Sequence, residues 1–522
     1  MDLIQDVTTL AGLPRVLSKV HGTKAALIVQ DVQTTFDALE TGSNRIANAL
    51  IQAGVVPGDR VAFLGRDSSE SVLLLFGAAK AKAVTVNINW RLGPDEIAYI
   101  LADAAPRFFF VEAEFARILP KTFQNEPALL ELVVFPPGGL VDHVCTTNGG
   151  TDDSTPALEY APTDVVAQIY TSGTTGHPKG VRLPNTSFFA LSQEMHASCD
   201  TWVGWTDESV SLICVPAFHI AGLWQLVRGL ALGCTSIVAR TFEPAAILRA
   251  IPKYRVTVTG MVPSMLAVML TEPGCLTADF SSLKAIVYGG SPISAALLEK
   301  AMKVFGCGFY QIYGLTETGN MAACLRAEDH FGPRKRLRSA GKPLPGVEVK
   351  IIDEDGNVGP GNVGQIAIKS PAAMAGYWNL PEATRETLVD GWVMTGDAGY
   401  MDEEGFIYVC DRIKDMIISA GENIYPLEIE NVIRSHTDVV DAAVIGVPND
   451  VWGEAAKALI VRRPGSSIRA TDIIRHIRMQ LAEFKVPKTV DFVDQLPRNA
   501  AGKILKTKLR EPFWQGRERR VS

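Results

Sequence analysis

The chain has 522 residues, 47% of them apolar and 20% charged, and carries a net charge of -7 at neutral pH. That length excludes a single small core and asks for a large domain or several subdomains, while the apolar and charged fractions are those of a soluble globular protein. The acidic balance argues against a nucleic-acid surface, which needs clustered Lys and Arg.

The opening Met1-Asp2-Leu3-Ile4-Gln5-Asp6 lacks the basic start and apolar run of a signal peptide. From residue 34 the pattern alternates. Leu39, Ile46 and Leu50 predict a helix face that Gly54 ends. Residues 60–64 read as a strand, 68–81 as a helix, 83–87 as a strand, 94–104 as a helix and 108–111 as a strand. Residues 135–163, rich in Gly, Pro, Thr and Asp, predict a surface excursion. After it, 165–170 and 181–183 are short strand-like runs. Alternation then resumes with strands at 210–215, 235–239, 256–261, 284–288 and 309–313, and helices at 222–233, 244–251 and 294–305. Strands and helices taking turns imply crossover connections and a mostly parallel sheet with helices on its faces. The two alternating halves have the order of a duplicated α/β layer, without a sequence repeat.

The texture then changes. Residues 347–352 and 365–369 around an Asp/Gly/Asn turn predict a β-hairpin, and 402–410 predicts another, so a small barrel or sheet should pack beside the parallel part. Beyond Asp411, Pro426 opens a helix with Ile429, Val432 and Ile433 on one face. Strands at 442–445 and 458–462 and a helix at 473–484 follow. A compact α+β domain of about 110 residues is expected there. The eight cysteines, at 145, 199, 214, 234, 275, 307, 324 and 410, include no Cys-x-x-Cys pair. They read as small apolar residues, not as a zinc knuckle or a disulfide framework. The basic cluster Arg334-Lys335-Arg336 with Arg338 reads as a solvated loop, and Arg517 to Arg520 as a frayed tail.

Chemistry concentrates in a few stations. Tyr170 to Gly180 is a loop between two strand-like runs. Gly173, Gly176 and Gly180 let backbone N–H groups converge, Thr171, Ser172, Thr174 and Thr175 add hydroxyls, and Lys179 adds a positive charge. Together they suit a polyphosphate. Walker A needs Lys directly after its second glycine, and here His177-Pro178 intervene, so this is a phosphate loop of another kind. Pro216 to Gly222, with Phe218 and His219, lies between a strand and a helix, where α/β sheets place ligands. Gly289-Gly290-Ser291 ends another strand. In Tyr310-Gln311-Ile312-Tyr313-Gly314-Leu315-Thr316-Glu317 the aromatic and amide groups can frame a purine, while Thr316 and Glu317 offer hard oxygens to Mg²⁺. Asp397 offers an acceptor pair for ribose hydroxyls. Asp411 to Asp415 reads as a charged linker, Ser419 to Ile424 as a glycine turn, and Leu496 to Ile504 as a Pro/Gly-fixed loop that carries Lys503.

Taken in order, these stations resemble the AMP-forming acyl-activating superfamily of acyl-CoA synthetases, firefly-type luciferases and peptide-synthetase adenylation domains. The likeness covers essentially the whole chain. It implies that the loop 171–179 binds phosphates and that Gly289, Gly290 and Ser291 wall the adenine. It implies that Tyr313 stacks on the adenine, Thr316 touches the α-phosphate and Glu317 is the metal ligand. Asp397 takes the ribose with Arg412 as its companion, and His219 with Phe218 guards the acyl site. Lys503 is the catalytic lysine, and Gly421 and Glu422 belong to the loop that lines the pantetheine tunnel. The implied fold is α/β: a large N-terminal domain, residues 1–412, of two mostly parallel α/β subdomains plus a small β-barrel-like part. A small mobile α+β C-terminal domain, residues 413–522, follows with its hinge near Lys414.

The implied activity is ATP-dependent carboxylic acid–CoA ligation through an acyl adenylate, with ATP, Mg²⁺ and CoA. An acyl pocket of Phe218, His219, Leu223, Trp224, Met261, Val262, Gly314, Leu315 and Met321 to Ala323 is mostly apolar. It points to a medium- to long-chain fatty acid, with an aryl or alicyclic acid as the alternative. Adenylation domains for α-amino acids usually carry an Asp where this chain has His219 beside Phe218. A stand-alone adenylating enzyme that loads a carrier protein stays open. A luciferase-type oxygenase or a non-catalytic nucleotide binder is disfavoured, because Lys503 and Glu317 are both present. A homodimer is allowed. No uncharged apolar stretch is long enough for a transmembrane segment, the C-terminal Arg520-Val521-Ser522 is not the usual peroxisomal address, and the expected location is cytoplasmic.

Overall fold

A computed structural model of the protein describes residues 7–119, 131–136, 139–140, 152–171, 178–198, 200, 203–331, 336–353, 356–419, 422–449, 451–498 and 503–515. The alternating first half builds a six-stranded sheet. Across it run Glu131–Phe135, Phe108–Glu112, Arg60–Leu64, Val84–Ile88, Val165–Thr171 and Lys179–Pro184, all parallel except the last. The second half builds a nine-stranded sheet. Its parallel centre is Gly308–Tyr313, Ala285–Gly289, Val258–Met261, Val210–Ile213, Thr235–Val238 and Ala25–Val29.

Two elements of the chain's beginning lie outside the alternating pattern. The helix Leu13–His21 precedes the hairpin Ala25–Val29 and Val32–Thr35, which adds to the edge of the nine-stranded sheet beside Thr235–Val238. Its partner lies two hundred residues on, so no local signal could have placed it there. Between the sheets, the helices Phe36–Gln52 and Ser69–Lys80 bury Phe36, Ile46, Leu74 and Phe76. Gly54 stops the first helix as expected. With φ +81° it donates to Ile51 O, and Val55 N–H reaches back to Leu50 O. Even the buried Lys80 is paired there, to Glu40 and to Asn44 Oδ1 at 2.6 Å.

The antiparallel part is a third sheet of six strands. Glu348–Asp353 pairs with Gly364–Lys369, and Trp392–Met401 with Ile407–Arg412, as the two hairpin signals predict. Its strand order ends at Gly356–Asn357 on one edge and Leu388–Val389 on the other, so it is an open sheet and not a closed barrel. Arg336, read from sequence as solvated, is instead enclosed. Its guanidinium pairs with Asp402 and Glu404, each at 2.6 Å, and lies 3.9 Å from the Phe406 ring centroid. Arg334, Lys335, Cys145, Cys199 and Arg517 to Arg520 lie outside the described residues. Of the described cysteines, all free, Cys214, Cys234, Cys275 and Cys324 are buried.

A fourth sheet, Ile417–Ser419, Glu422–Ile424, Val439–Asn449, Gly453–Arg462 and Thr489–Phe492, carries its own core of Ile429, Ile433, Val444, Ile460 and Ile473. The helix predicted over 473–484 spans Ala470–Arg478 and gives way to a short 3-10 turn, Glu483–Lys485. Pro487 forces extended backbone at Val486 just beyond, and Arg478 pairs with Glu483 at 2.8 Å across the gap.

Candidate active site

The central loop closes a hairpin. Val165–Thr171 and Lys179–Pro184 pair antiparallel with Thr171 opposite Lys179, which follows from the β-branched runs on either side. Ser172, Gly173, Thr174, Thr175 and Gly176 lie outside the described residues. A later segment docks on the second strand of this hairpin: Trp378 N–H donates to Gly180 O at 2.8 Å and Arg182 N–H to Gly376 O at 3.0 Å. The docking sets the Tyr377 ring 5.0 Å from the Lys179 ammonium. The Tyr377 hydroxyl donates to Glu317 Oε1 at 2.8 Å, and the Glu317 carbonyl accepts Met374 N–H at 2.9 Å.

The run Tyr310 to Glu317, expected to frame a purine, occupies the strand Gly308–Tyr313 and the 3-10 turn Thr316–Thr318. Tyr310, Gln311, Ile312, Tyr313 and Thr316 are all half-buried along it. Gly314 joins strand to turn where a Cβ would stand 2.4 Å from Asn320 O, so the close approach requires glycine. The neighbouring strand sets Gly289 opposite Ile312 and continues into Gly290, at φ +78°, and the exposed Ser291.

Asp397 and Arg412 are register partners in the third sheet. Arg412 Nε stands 2.8 Å from Asp397 Oδ1, and the Tyr313 hydroxyl donates to Oδ2 at 2.7 Å. Burial first, then the Asp397 charge, holds the Tyr313 phenol well above its ordinary pKa, so it stays a donor at neutral pH. Lys503 enters the same group. Desolvation lowers its pKa most and the Arg412 charge lowers it further, while Asp397 and Glu317 pull it back up. By surface area Lys503 remains exposed. Its surroundings are therefore a crowded cleft that water still reaches, and the solvent tempers that shift.

His219 caps the helix Ile220–Ala231 beyond the strand Val210–Ile213. Its N–H donates to Pro216 O at 3.0 Å, and its ring meets Phe218 edge-on at 4.6 Å. Its Nε2 is buried without a hydrogen-bond partner. Burial, then the charges of Arg91 and Lys503, push its pKa down to about 4, so the imidazole is neutral at pH 7.

The structure thus gathers Glu317, Tyr313, Asp397, Arg412 and Lys503, with His219 at their edge and Lys179 joined through Tyr377. It does not gather everything expected. Glu422 is exposed at the start of Glu422–Ile424, opposite Ser419, with no bond to that group, and Gly421 lies outside the described residues. The expected acyl lining is divided as well. Leu223, Trp224 and Met321 to Ala323 are buried in one core, Met261 in another, and Phe218 is buried outside both. The described residues hold no cluster of three or more His, Cys, Asp or Glu, so a metal at Glu317 would depend on ligand phosphates for its other oxygens, the usual habit of Mg²⁺. Sequence reasoning missed Tyr377. Its local signal, an aromatic pair after Gly376 at φ +116°, marks a turn and nothing more.

Set beside known proteins, residues 15–378 match the family model described as AMP-binding enzyme, and residues 428–503 the one described as AMP-binding enzyme C-terminal domain. The chain is 43% identical over 502 residues to a fatty acid–[acyl-carrier-protein] ligase of Streptomyces coeruleorubidus, covering 96% of this chain and 95% of that one. It is 37% identical over 481 residues to a feruloyl-CoA synthase of Amycolatopsis sp, covering 92% and 94%. The solved structure of Bacillus subtilis o-succinylbenzoate coenzyme A synthetase, in complex with ATP and magnesium ion, matches with a TM-score of 0.84 and 30% identity, covering 95% and 99%.

Proposed function

The chain belongs to the AMP-binding enzyme family, and from that premise we propose how its site works and which acid it takes. It is an AMP-forming acid–thiol ligase that uses ATP and Mg²⁺. A carboxylate resists attack because it is anionic and lacks a good leaving group. Its oxygen therefore attacks the α-phosphorus of ATP, pyrophosphate leaves, and the acyl adenylate then yields its acyl group to a thiol as AMP departs.

The observation that carries the reading is the convergence of Lys503 on Glu317, Asp397 and Arg412. Lys503 stabilises the negative charge that builds on the phosphoryl oxygens. Asp397, oriented by Arg412 and Tyr313, accepts the ribose hydroxyls. Lys179 and the loop 171–179 hold the outer phosphates, and Thr316 lies by the α-phosphate. Bound at Glu317, Mg²⁺ would neutralise phosphate charge, while Tyr377 fixes the Glu317 carboxylate for it. Gly289, Gly290 and Ser291 flank the adenine, with Tyr310 to Gly314 along the adjacent strand. Residues 413–522 form the mobile domain, hinged near Lys414, and Gly421 and Glu422 serve the thiol in its second orientation.

The acid is hydrophobic, on the strength of the apolar wall of Phe218, Leu223 and Trp224. A medium- to long-chain fatty acid is the first reading. The full burial of Met321, Ala322 and Ala323 in the same core as Trp224 favours a second, a compact aryl or alicyclic acid. A panel from acetate through octanoate to palmitate, with benzoate and cinnamate, read by pyrophosphate release, separates them. A fatty-acid site should gain about tenfold in kcat/KM per pair of added methylenes until it is full, at ~0.8 kcal/mol per CH₂. Higher activity on acetate or an α-amino acid than on octanoate or benzoate would sink both. Running each acid with CoA and with a phosphopantetheinyl carrier protein identifies the acceptor.

A further inference from the structure

The turn that bears Phe218 and His219 hangs from a carboxylate of the other sheet. Asp67 lies between the strand Arg60–Leu64 and the helix Ser69–Lys80. Both its oxygens accept the N–H of Ala217, Oδ2 at 3.0 Å and Oδ1 at 3.3 Å. This bond crosses from the six-stranded to the nine-stranded sheet where both present the C-terminal ends of their strands. Beyond it lies a small cavity bordered by Asp67, Ser71, Asn87, Phe218 and Leu223, with about 10 Å³ open to the centre of a water molecule. That is room for roughly one water, and the bond Asp67 makes is to the backbone of the turn. The Arg91 guanidinium sits over both Phe218, at 5.7 Å, and Trp90, at 4.6 Å. The turn is also tight, since a Cβ at Gly222 would stand 2.1 Å from Val215 O, and a shift at Ala217 must carry Phe218 and His219 with it.

We propose that Asp67 is a positioning residue of the acid site, holding Phe218 and His219 in place by accepting the Ala217 N–H. The inference rests on the reading that this turn borders the reacting acid.

The surroundings make the hold sensitive to pH. Desolvation raises the Asp67 pKa to about 7, against the pull of the Ala217 N–H, Arg91 and Arg240, although by surface area the residue is only half-buried and solvent tempers the rise. The neighbouring charges are otherwise committed. Arg240 pairs with Glu112, and Arg66 pairs with Glu114 while its N–H donates to Glu112. His219 is already neutral in this range. As pH falls through 7, Asp67 gains a proton, becomes a weaker acceptor and leaves Arg91 without its counter-charge. The acid site should therefore loosen on the acid side of neutrality.

The test is Asp67→Asn, which keeps the shape and one acceptor oxygen but not the charge. Pyrophosphate release with octanoate and with benzoate is measured at pH 6 and pH 8 in the full chain, with His219→Ala as the control on the turn. At pH 8 the acid KM should rise by about five- to tenfold while the KM for ATP and the melting temperature hold. At pH 6 the variant and the parent should converge. An unchanged acid KM, or a variant-to-parent ratio equal at both pH values, overturns the proposal. So does an equal rise in both KM values with a lowered melting temperature, the mark of a general structural role. If His219→Ala leaves the acid KM untouched, the reading of the turn fails and the proposal with it. A rise in His219→Ala without one in Asp67→Asn refutes Asp67 alone.

Discussion

At the scale of single residues the proposed chemistry rests on a few charges whose partners are specific. Glu317 is held by the Tyr377 hydroxyl at 2.8 Å, so both its charge and its direction can be tested. Glu317→Gln keeps the shape and removes the charge, and adenylate formation should fall by orders of magnitude without loss of fold. Tyr377→Phe keeps the charge and removes one hydrogen bond to a charged group, about 1.5–3 kcal/mol. It should raise the Mg²⁺ concentration for half-maximal pyrophosphate exchange by roughly tenfold or more. Full activity and unchanged Mg²⁺ dependence in Glu317→Gln would move the metal elsewhere. Glu317, Asp397 and Lys503 stood out in the sequence because chemistry limits which side chains can serve the proposed roles, and the structure brings the three together. Tyr377 and Asp67 were not, because their importance lies only in what they touch.

At the scale of elements, the helix Lys506–Trp514 follows Lys503 by three residues and is tied to the linker by ions. Lys506 Nζ stands 2.8 Å from Glu430 and 3.8 Å from Asp411, and Arg510 stands 2.8 Å from Asp415. The Lys506, Glu430 and Asp411 side chains are at most 12% exposed, so a lost partner leaves a buried charge. Lys506→Met should destabilise this region by roughly 3 kcal/mol, seen as faster amide exchange over 506–514. Pyrophosphate exchange should fall with it, since the Lys503 loop loses its anchor. Burial pushes the Asp411 pKa up to about 6 against the pull of Lys506. A carboxyl raised on folding binds more protons folded than unfolded, so its contribution to stability falls as pH rises from about 4 to 6. Without Lys506 that window moves upward, and the variant should lose more stability at pH 8 than at pH 5. An equal loss at both pH values would deny Asp411 this part.

At the scale of the whole molecule, two functional loops share one small domain. Lys503 stands among Glu317, Asp397 and Arg412, whereas Glu422, beside Gly421, is exposed and bonded to none of them. On the proposed roles, an arrangement that serves ATP cleavage leaves the other loop unused, and the proposed second orientation about Lys414 would bring it into use. Lys503→Ala should abolish acid-dependent pyrophosphate exchange yet largely spare the conversion of supplied acyl adenylate and thiol. Gly421→Leu should do the reverse on the proposed role of the 421–422 loop in thiol delivery, because a side chain there would obstruct the thiol without touching ATP. Both variants are run through both half-reactions. If each loses both steps equally, the two-orientation mechanism is wrong for this protein.

What the sequence determined by itself was what depends on near neighbours. Hydrophobic period and turn residues placed Arg60–Leu64 and Pro94–Ala104 to the residue, and the ordered motifs carried the family and the chemistry. Tertiary structure alone decided what depends on distant partners. It put the hairpin Ala25–Val29 and Val32–Thr35 on the far sheet and laid Gly376 to Trp378 on the hairpin of the phosphate loop. It enclosed Arg336, and it hung the Ala217 turn from Asp67. The physical reason is the range of the forces involved. Backbone propensity and side-chain periodicity act over one or two turns of chain, whereas a buried charge or an exposed edge is satisfied by whatever the fold brings near.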